Sequence, residues 1–467
     1  MSETPKITRS IAEFAICTES TDITDAARHM ATRALVDTVA VAVLGTHDIA
    51  STALMEAVMT PPSAGHGATV LATGEMAPAH TAALLNATAG HADDYDDHLV
   101  DTNGHPSVVL IPALLAAGEA ADASGRDILD AYVIGHQVMC AISAGLPVRA
   151  HWANGWHATS TVGVIGATAA VARLRQLTLL QTRHALGIAA SMAGGSRQNC
   201  GFITKPLHAG LAASNAVLAV DLAVRGYDAD PDQLEAPLGF FHVFGVNPDL
   251  TKVEPVLEER WTVITRGLNV KTFPACYAVH PAARAAAELR GKGLDPESIV
   301  SVDVTVQPTG LVGPIHHLPE TGLQAKFSLE YTVAAALSDG APSLNTFTDC
   351  TVQRPDLQQL LRKVRTHENP VPPIGAPEFT RWYATVDVEF SDGNRTSTRA
   401  DMPHGFTLDP LTDQEIQEKF NDCLGYSTTP WDPEALSRHL WSLDQTPRIR
   451  SLFSESSKLA GRTPANV

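Results

Sequence analysis

The run Tyr383-Ala384-Thr385-Val386-Asp387-Val388-Glu389-Phe390 alternates apolar and polar side chains, then meets the turn residues Ser391-Asp392-Gly393-Asn394. A period of two sends Val386, Val388 and Phe390 to one face and Thr385, Asp387 and Glu389 to the other, which predicts a half-buried strand. Val302-Asp303-Val304-Thr305-Val306 carries the same pattern. Between these strands, Ala282 to Gly291 and Ser328 to Ser338 show helical spacing of apolar residues, so residues 266–404 read as a small α+β unit.

Outward from that unit the texture changes. Asp25 to Val43, Ala77 to Ala92, Val108 to Ala121, Arg126 to Ser143, Ser160 to Leu174, Thr178 to Met192 and Pro206 to Arg225 are Ala-rich segments with helical periodicity. Thr178 with Gln181 has the form of a capping box, and Gly226 stops the helix that begins near Pro206. Gly163, Gly166 and Ala167 permit close helix contacts. Past Met402-Pro403-His404-Gly405 the chain turns helical again, through Asp413 to Cys423 and Pro433 to Leu443. The fold class that follows is mainly α. A large all-helical domain, residues 1–265 completed by 405–467, is joined by a smaller α+β lid domain, residues 266–404. No internal repeat or low-complexity tract is visible.

With 467 residues the chain exceeds one ordinary core. Its 51 acidic and 33 basic side chains give a net charge of -18, which repels nucleic acid and anionic membrane surfaces. An anionic substrate therefore requires a locally positive pocket. The six cysteines, Cys17, Cys140, Cys200, Cys276, Cys350 and Cys423, lie more than fifty residues apart, a spacing that matches no zinc or iron–sulfur ligand set and fits a reducing cytoplasm. The opening Met-Ser-Glu-Thr-Pro-Lys lacks a signal-peptide pattern, and no uninterrupted apolar run reaches about eighteen residues, so a soluble cytoplasmic protein is expected.

The stretch His91-Ala92-Asp93-Asp94-Tyr95-Asp96-Asp97-His98, closing on Gly104-His105-Pro106-Ser107, sets acids and imidazoles inside an apolar region. Such groups are costly to bury unless paired or used, and the alternative is a solvated loop at a helix end. On a helix reaching His98, residues His91, Asp94 and His98 would share one face and present a possible metal site, with Asp93, Asp96 and Asp97 pointing elsewhere. Metal-free acid/base work is the preferred reading. His105 and His157, the latter in Gly155-Trp156-His157, each precede a helix; either is a cap or a catalyst, and the repetition favours the second. In Thr204-Lys205-Pro206-Leu207-His208, Lys205 occupies a helix start suited to a carboxylate, where burial and the dipole would lower its pKa. Lys271 and Cys276, in Lys271-Thr272-Phe273-Pro274-Ala275-Cys276-Tyr277, lie at the seam between the two textures. Lys326 and Tyr331 line a cleft or lie on an ordinary helix surface.

Taken in order, Asp94-Tyr95-Asp96-Asp97, Gly104-His105-Pro106-Ser107, Gly155-Trp156-His157, Thr204-Lys205-Pro206-Leu207-His208, Phe273-Pro274-Ala275-Cys276 and Ala325-Lys326-Phe327-Ser328 resemble the MmgE/PrpD family over nearly the whole chain. The resemblance implies a homodimer with a helical domain and a lid, no metal or organic cofactor, and a small di- or tricarboxylate substrate. It implies catalytic roles for Asp94, His105, His157, Lys205 and Cys276, with His98, Lys271 and Tyr331 as substrate-binding residues. Two positions depart from the pattern: His98 stands where dehydratase- and decarboxylase-like members often have Thr, and Cys276 where several have His.

Making or breaking a bond beside an ionised carboxylate develops a second negative charge, so cations must already be in place. Lys205 is expected to supply that field, His105 and His157 to act as base and acid, and Asp94 to orient one imidazole. The first expectation is a hydro-lyase acting on a 2-methylcitrate-like hydroxy acid. Epimerisation of an iminodisuccinate-like diacid and cis-aconitate-type decarboxylation use the same groups, and an inactive dimeric scaffold is the non-enzymatic alternative.

Overall fold

A computed structural model describes residues 6–60, 67–402 and 404–458. Pro403 and the outermost residues of the expected domain ranges lie outside the described residues. The apolar side chains gather into two separate cores. One runs from Ile7 to Val270 and is completed by Leu411 to Phe453; the other holds Phe273 to Ala400. The C-terminal helices Asp413–Tyr426 and Pro433–Trp441 thus return to the first core, where they pack on Asp25–Leu44.

Small residues set the first core. Thr204–Val224 lies along Ala79–Ala92 and Ala158–Leu174, and the latter also packs on Gly125–Gly145. A Cβ on Gly210 would lie 2.6 Å from the Leu84 carbonyl, and one on Gly166 would lie 2.9 Å from that of Gly135, so larger residues would push these helices apart. The Thr178 capping box forms, with Gln181 returning its side chain to the Thr178 N–H.

The second core is covered by a four-stranded sheet in the order Val364–Glu368, Ile299–Val306, Ala384–Phe390, Arg395–Ala400. The first pair is parallel and the other two are antiparallel. Val302, Val304, Val386 and Val388 are buried as their alternation requires. The helices His280–Gly291 and Leu329–Asp339 pack with them.

Two expectations are corrected. The larger, helical part is not all-helical: Gly67–Thr69 and Met76–Pro78 form an antiparallel ribbon, closed where the Asn86 side chain donates to the Thr69 carbonyl and accepts from the Leu71 N–H. The helix expected to reach His98 stops at Ala92. Gly125–Gly145 and Thr204–Val224 are long and apolar enough to cross a membrane by length and composition, although charged residues such as Asp130 and Asp221 interrupt them. In this fold that apolar character is used in helix packing, most completely in Gly125–Gly145.

Candidate active site

The end of the Ala79–Ala92 helix builds the site. His91 occupies its last turn, and the chain then turns sharply through Asp94 at φ 53°, a left-handed conformation that Asp tolerates better than most residues. His98 is clamped by backbone bonds to Asn269 in both directions, 2.8 and 3.0 Å. Gly104 comes so close to the start of Ala158–Leu174 that a Cβ would meet Thr159 N at 2.9 Å. The His105 N–H donates to Thr159 Oγ1 at 3.1 Å, which fixes that residue beside His157.

Around Asp94 the separated motifs meet. Lys205 Nζ donates to Asp94 Oδ1 at 2.6 Å, and Lys271 Nζ donates to the Asp94 carbonyl at 2.6 Å while lying 3.3 Å from Oδ1. His105 Nε2 is 3.9 Å from the same Oδ1. All four residues are buried. Burial alone would raise the Asp94 pKa, but Lys205 and Lys271 outweigh it and hold the carboxylate well below its usual range. The reciprocal effect overturns the expectation for Lys205: burial, the largest single influence, pulls its pKa down, but Asp94 together with Cys200 and Asp96 outweighs it, and the ammonium form is strengthened.

Orientation of the imidazoles falls to Asp96 rather than Asp94. The fully buried Asp96 carboxylate accepts from His91 Nδ1 at 2.8 Å and lies 3.2 Å from His105 Nδ1, which is also 2.8 Å from the Asp97 carbonyl. Two acceptors facing His105 Nδ1 place its proton there and leave the lone pair on Nε2. Burial would raise the Asp96 pKa, but His105 and His91 hold it well below normal, while burial keeps His91 neutral with a pKa of about 3. Asp96 was expected to point away, so this role was missed; its five-residue offset from His91 crosses a helix end, which periodicity cannot follow. Asp97 accepts from the Ser107 hydroxyl, and burial raises it to about 8. Asp93 pairs with Lys326 of the second core at 2.7 Å.

The other expected residues divide. His157 is 4% exposed, stacks on His91 at 5.8 Å, and meets His208 Nδ1 to Nδ1 at 3.1 Å. His98 stacks on Tyr277 at 4.2 Å and stands edge-on to His105 at 5.5 Å; burial, then His105 and Lys271, keep it neutral. Cys276 joins the site through a backbone bond to the Lys326 carbonyl, and burial with Asp94 pushes its thiol up to about 11, so it is a protonated thiol. Tyr331 does not join. Its ring is fully buried in the second core and its hydroxyl donates its one proton to the Thr346 carbonyl, leaving no donor for a substrate.

Among the described residues, His91, Asp94, Asp96 and His105 place one ligand atom each within 4.8 Å of one another, so they form the set that could hold a divalent ion. It differs from the helical trio His91, Asp94 and His98. Two ammonium groups already neutralise Asp94 and two Nδ1 groups engage Asp96, so an ion would have to displace them. The pocket also departs from the expected positive excess: Lys205, Lys271 and Lys326 face Asp93, Asp94 and Asp96. Each ammonium has three donors and Asp94 takes only part of them, so donors remain for an anion.

The protein is thus two-core and mainly helical, with a buried Lys–Asp–His cluster at the seam. The chain belongs to the MmgE/PrpD family: the MmgE/PrpD N-terminal domain matches residues 9–252 and the MmgE/PrpD C-terminal domain residues 273–443. It is similar to the cis-aconitate decarboxylase of Homo sapiens, 29% identical over 73% of this chain and 72% of that protein. The Mus musculus cis-aconitate decarboxylase is 30% identical over 73% and 71%. That of Aspergillus terreus is 26% identical over 96% and 95%.

Proposed function

We propose that this protein is a lyase that decarboxylates a cis-aconitate-like tricarboxylate. What carries the reading is the convergence of Lys205, Lys271, His105 and His157 on one buried centre, in a chain similar along most of its length to cis-aconitate decarboxylases. In such a substrate a carboxymethyl group sits on a C=C bond conjugated to another carboxylate. Loss of CO2 sends the C–C electron pair into a new terminal C=C, and the old double bond becomes a carbanion spread over the conjugated carboxylate. Lys205 and Lys271 stabilise that charge where water is excluded. A proton then bonds to the carbanion carbon. His105 Nε2 holds a lone pair in the neutral ring, so His157 is assigned as the donor.

Dehydration of a 2-methylcitrate-like hydroxy acid is the second reading, favoured by two observations. His105 Nε2 is placed to act as the base it needs, and buried His98 has no hydrogen-bond partner for its Nδ1, which leaves an imidazole to assist a departing hydroxyl. Incubation with cis-aconitate and with 2-methylcitrate in deuterated water, followed by NMR and CO2 trapping, tests both. Release of CO2 with one deuterium fixed on carbon is expected from cis-aconitate. Loss of water from 2-methylcitrate without CO2 would replace the first reading by the second, and inertness toward both would refute the proposal.

A further inference from the structure

The contact between His157 and His208 has no part in the steps above. His208 lies one helical turn after Lys205 in Thr204–Val224, and its Nδ1 meets His157 Nδ1 at 3.1 Å with ring centroids 5.3 Å apart. Two nitrogens at that distance hold one proton between them, since two lone pairs or two N–H groups would repel. The pair is held from both sides. The His157 N–H donates to the Gly195 carbonyl at 3.0 Å, and a Cβ on Gly195 would lie 3.2 Å from His208 Cγ. Decarboxylation of a carboxylate consumes one proton per turnover, and that proton must cross a wall of buried side chains. His208 is 5% exposed, and Leu211, its neighbour on the next turn of the same helix face, is 41% exposed, so solvent lies within one helical turn of this side of the cluster.

We propose that His208 is a positioning residue that sets the tautomer of His157 and feeds it the proton that ends on product carbon. The inference rests on the decarboxylase reading. In the resting pair, His208 Nδ1–H donates to His157 Nδ1, so His157 carries its own proton on Nε2. When that Nε2–H bond breaks and the C–H bond forms, the His208 Nδ1 proton moves to His157 Nδ1 and a proton from water adds at His208 Nε2. Neither ring becomes an anion, and one solvent proton has been delivered to carbon. The charged and titratable groups facing His157 are Lys205 on the His208 helix, His91 at the end of Ala79–Ala92, and His105; Lys205 is also the charge nearest His208. Burial, and after it the Lys205 ammonium, keeps both rings neutral, His208 down to about 4, so no stored imidazolium substitutes for the relay.

His208→Asn keeps a hydrogen-bonding group near His157 but cannot pass a proton through, and His208→Ala leaves space for free imidazole. For His208→Asn, kcat should fall roughly a hundredfold, the size of a positioned proton transfer, with KM unchanged and a flattened pH profile. Added imidazole should restore His208→Ala and leave His208→Asn slow. Full kcat with an unchanged pH profile in a folded His208→Asn would overturn the proposal, as would failure of imidazole to rescue a folded His208→Ala. If wild type releases no CO2, the decarboxylase reading fails separately. The pair is then judged by 15N-histidine NMR of the wild-type protein: a proton on His208 Nδ1 with a bare His157 Nδ1 is expected, and the reverse tautomers refute the assignment.

Discussion

Replacing Lys205 by methionine removes one charge from the centre of the site while keeping an unbranched side chain of similar reach. Lys205 Nζ is 2.6 Å from Asp94 Oδ1, and the residue is 5% exposed. A unit charge developing about 4 Å from that ammonium is stabilised by about 4 kcal/mol at an effective dielectric near 20. Since about 1.4 kcal/mol is tenfold in rate, kcat should fall roughly a thousandfold. Stability should suffer less than the about 3–5 kcal/mol of stripping a buried charge of its sole partner, because Asp94 keeps Lys271 at 3.3 Å. Initial rates of CO2 release, paired with urea unfolding of the same preparations, read both quantities. Adding Asp94→Asn to Lys205→Met should slow turnover little further if Asp94 acts mainly by holding Lys205. A folded Lys205→Met enzyme with wild-type kcat refutes the reasoning.

Asp96→Asn removes the shared carboxylate beneath His91 and His105, so kcat should drop about a hundredfold or more with a shifted pH profile; an unchanged profile in steady-state assays would refute its orienting role. Burial depresses the pKa values of His91, His136 and His280 to about 3 and of His208 to about 4, so between pH 6.5 and 4 the unfolded chain binds protons that the folded chain refuses. Stability should be full above about pH 6.5 and lost as pH falls, by about 2 kcal/mol per histidine at pH 5. Urea midpoints across pH check this, and a flat series refutes it. Dialysis against a chelator should leave turnover intact, because Lys205 and Lys271 already neutralise Asp94; loss of activity restored by a divalent ion would make the His91–Asp96 cluster a metal centre.

Much of the helical scaffold was legible because burying a helix in a bundle demands the 3.6-residue pattern that Asp25–Leu44 and Ala158–Leu174 display. Four strands escaped, the Gly67–Thr69 and Met76–Pro78 ribbon and two of the larger sheet. Val364–Glu368 is buried only at its first residue, and Arg395–Ala400 is a polar edge, so neither shows clean alternation. Within the site, Asp94, His105, His157, Lys205, Lys271 and Cys276 were legible as costly residues in apolar surroundings. Asp96 and His208 were hidden because their meaning lies in which ring nitrogen they meet, a relation between distant segments. Tyr331 misled for the converse reason: a tyrosine that finds a backbone acceptor in a core looks, in sequence, like one awaiting a ligand.

Lys419, on the C-terminal helix Asp413–Tyr426, pairs with buried Asp37 at 2.6 Å, donates to the Tyr95 carbonyl at 2.9 Å, and lies 3.9 Å from the centre of the Tyr95 ring. The loop between Asp94 and Asp96 is therefore braced from behind by a residue synthesised more than three hundred positions later. A nascent chain in which residue 419 has not yet been added lacks this brace behind the turn that carries Asp94 and Asp96.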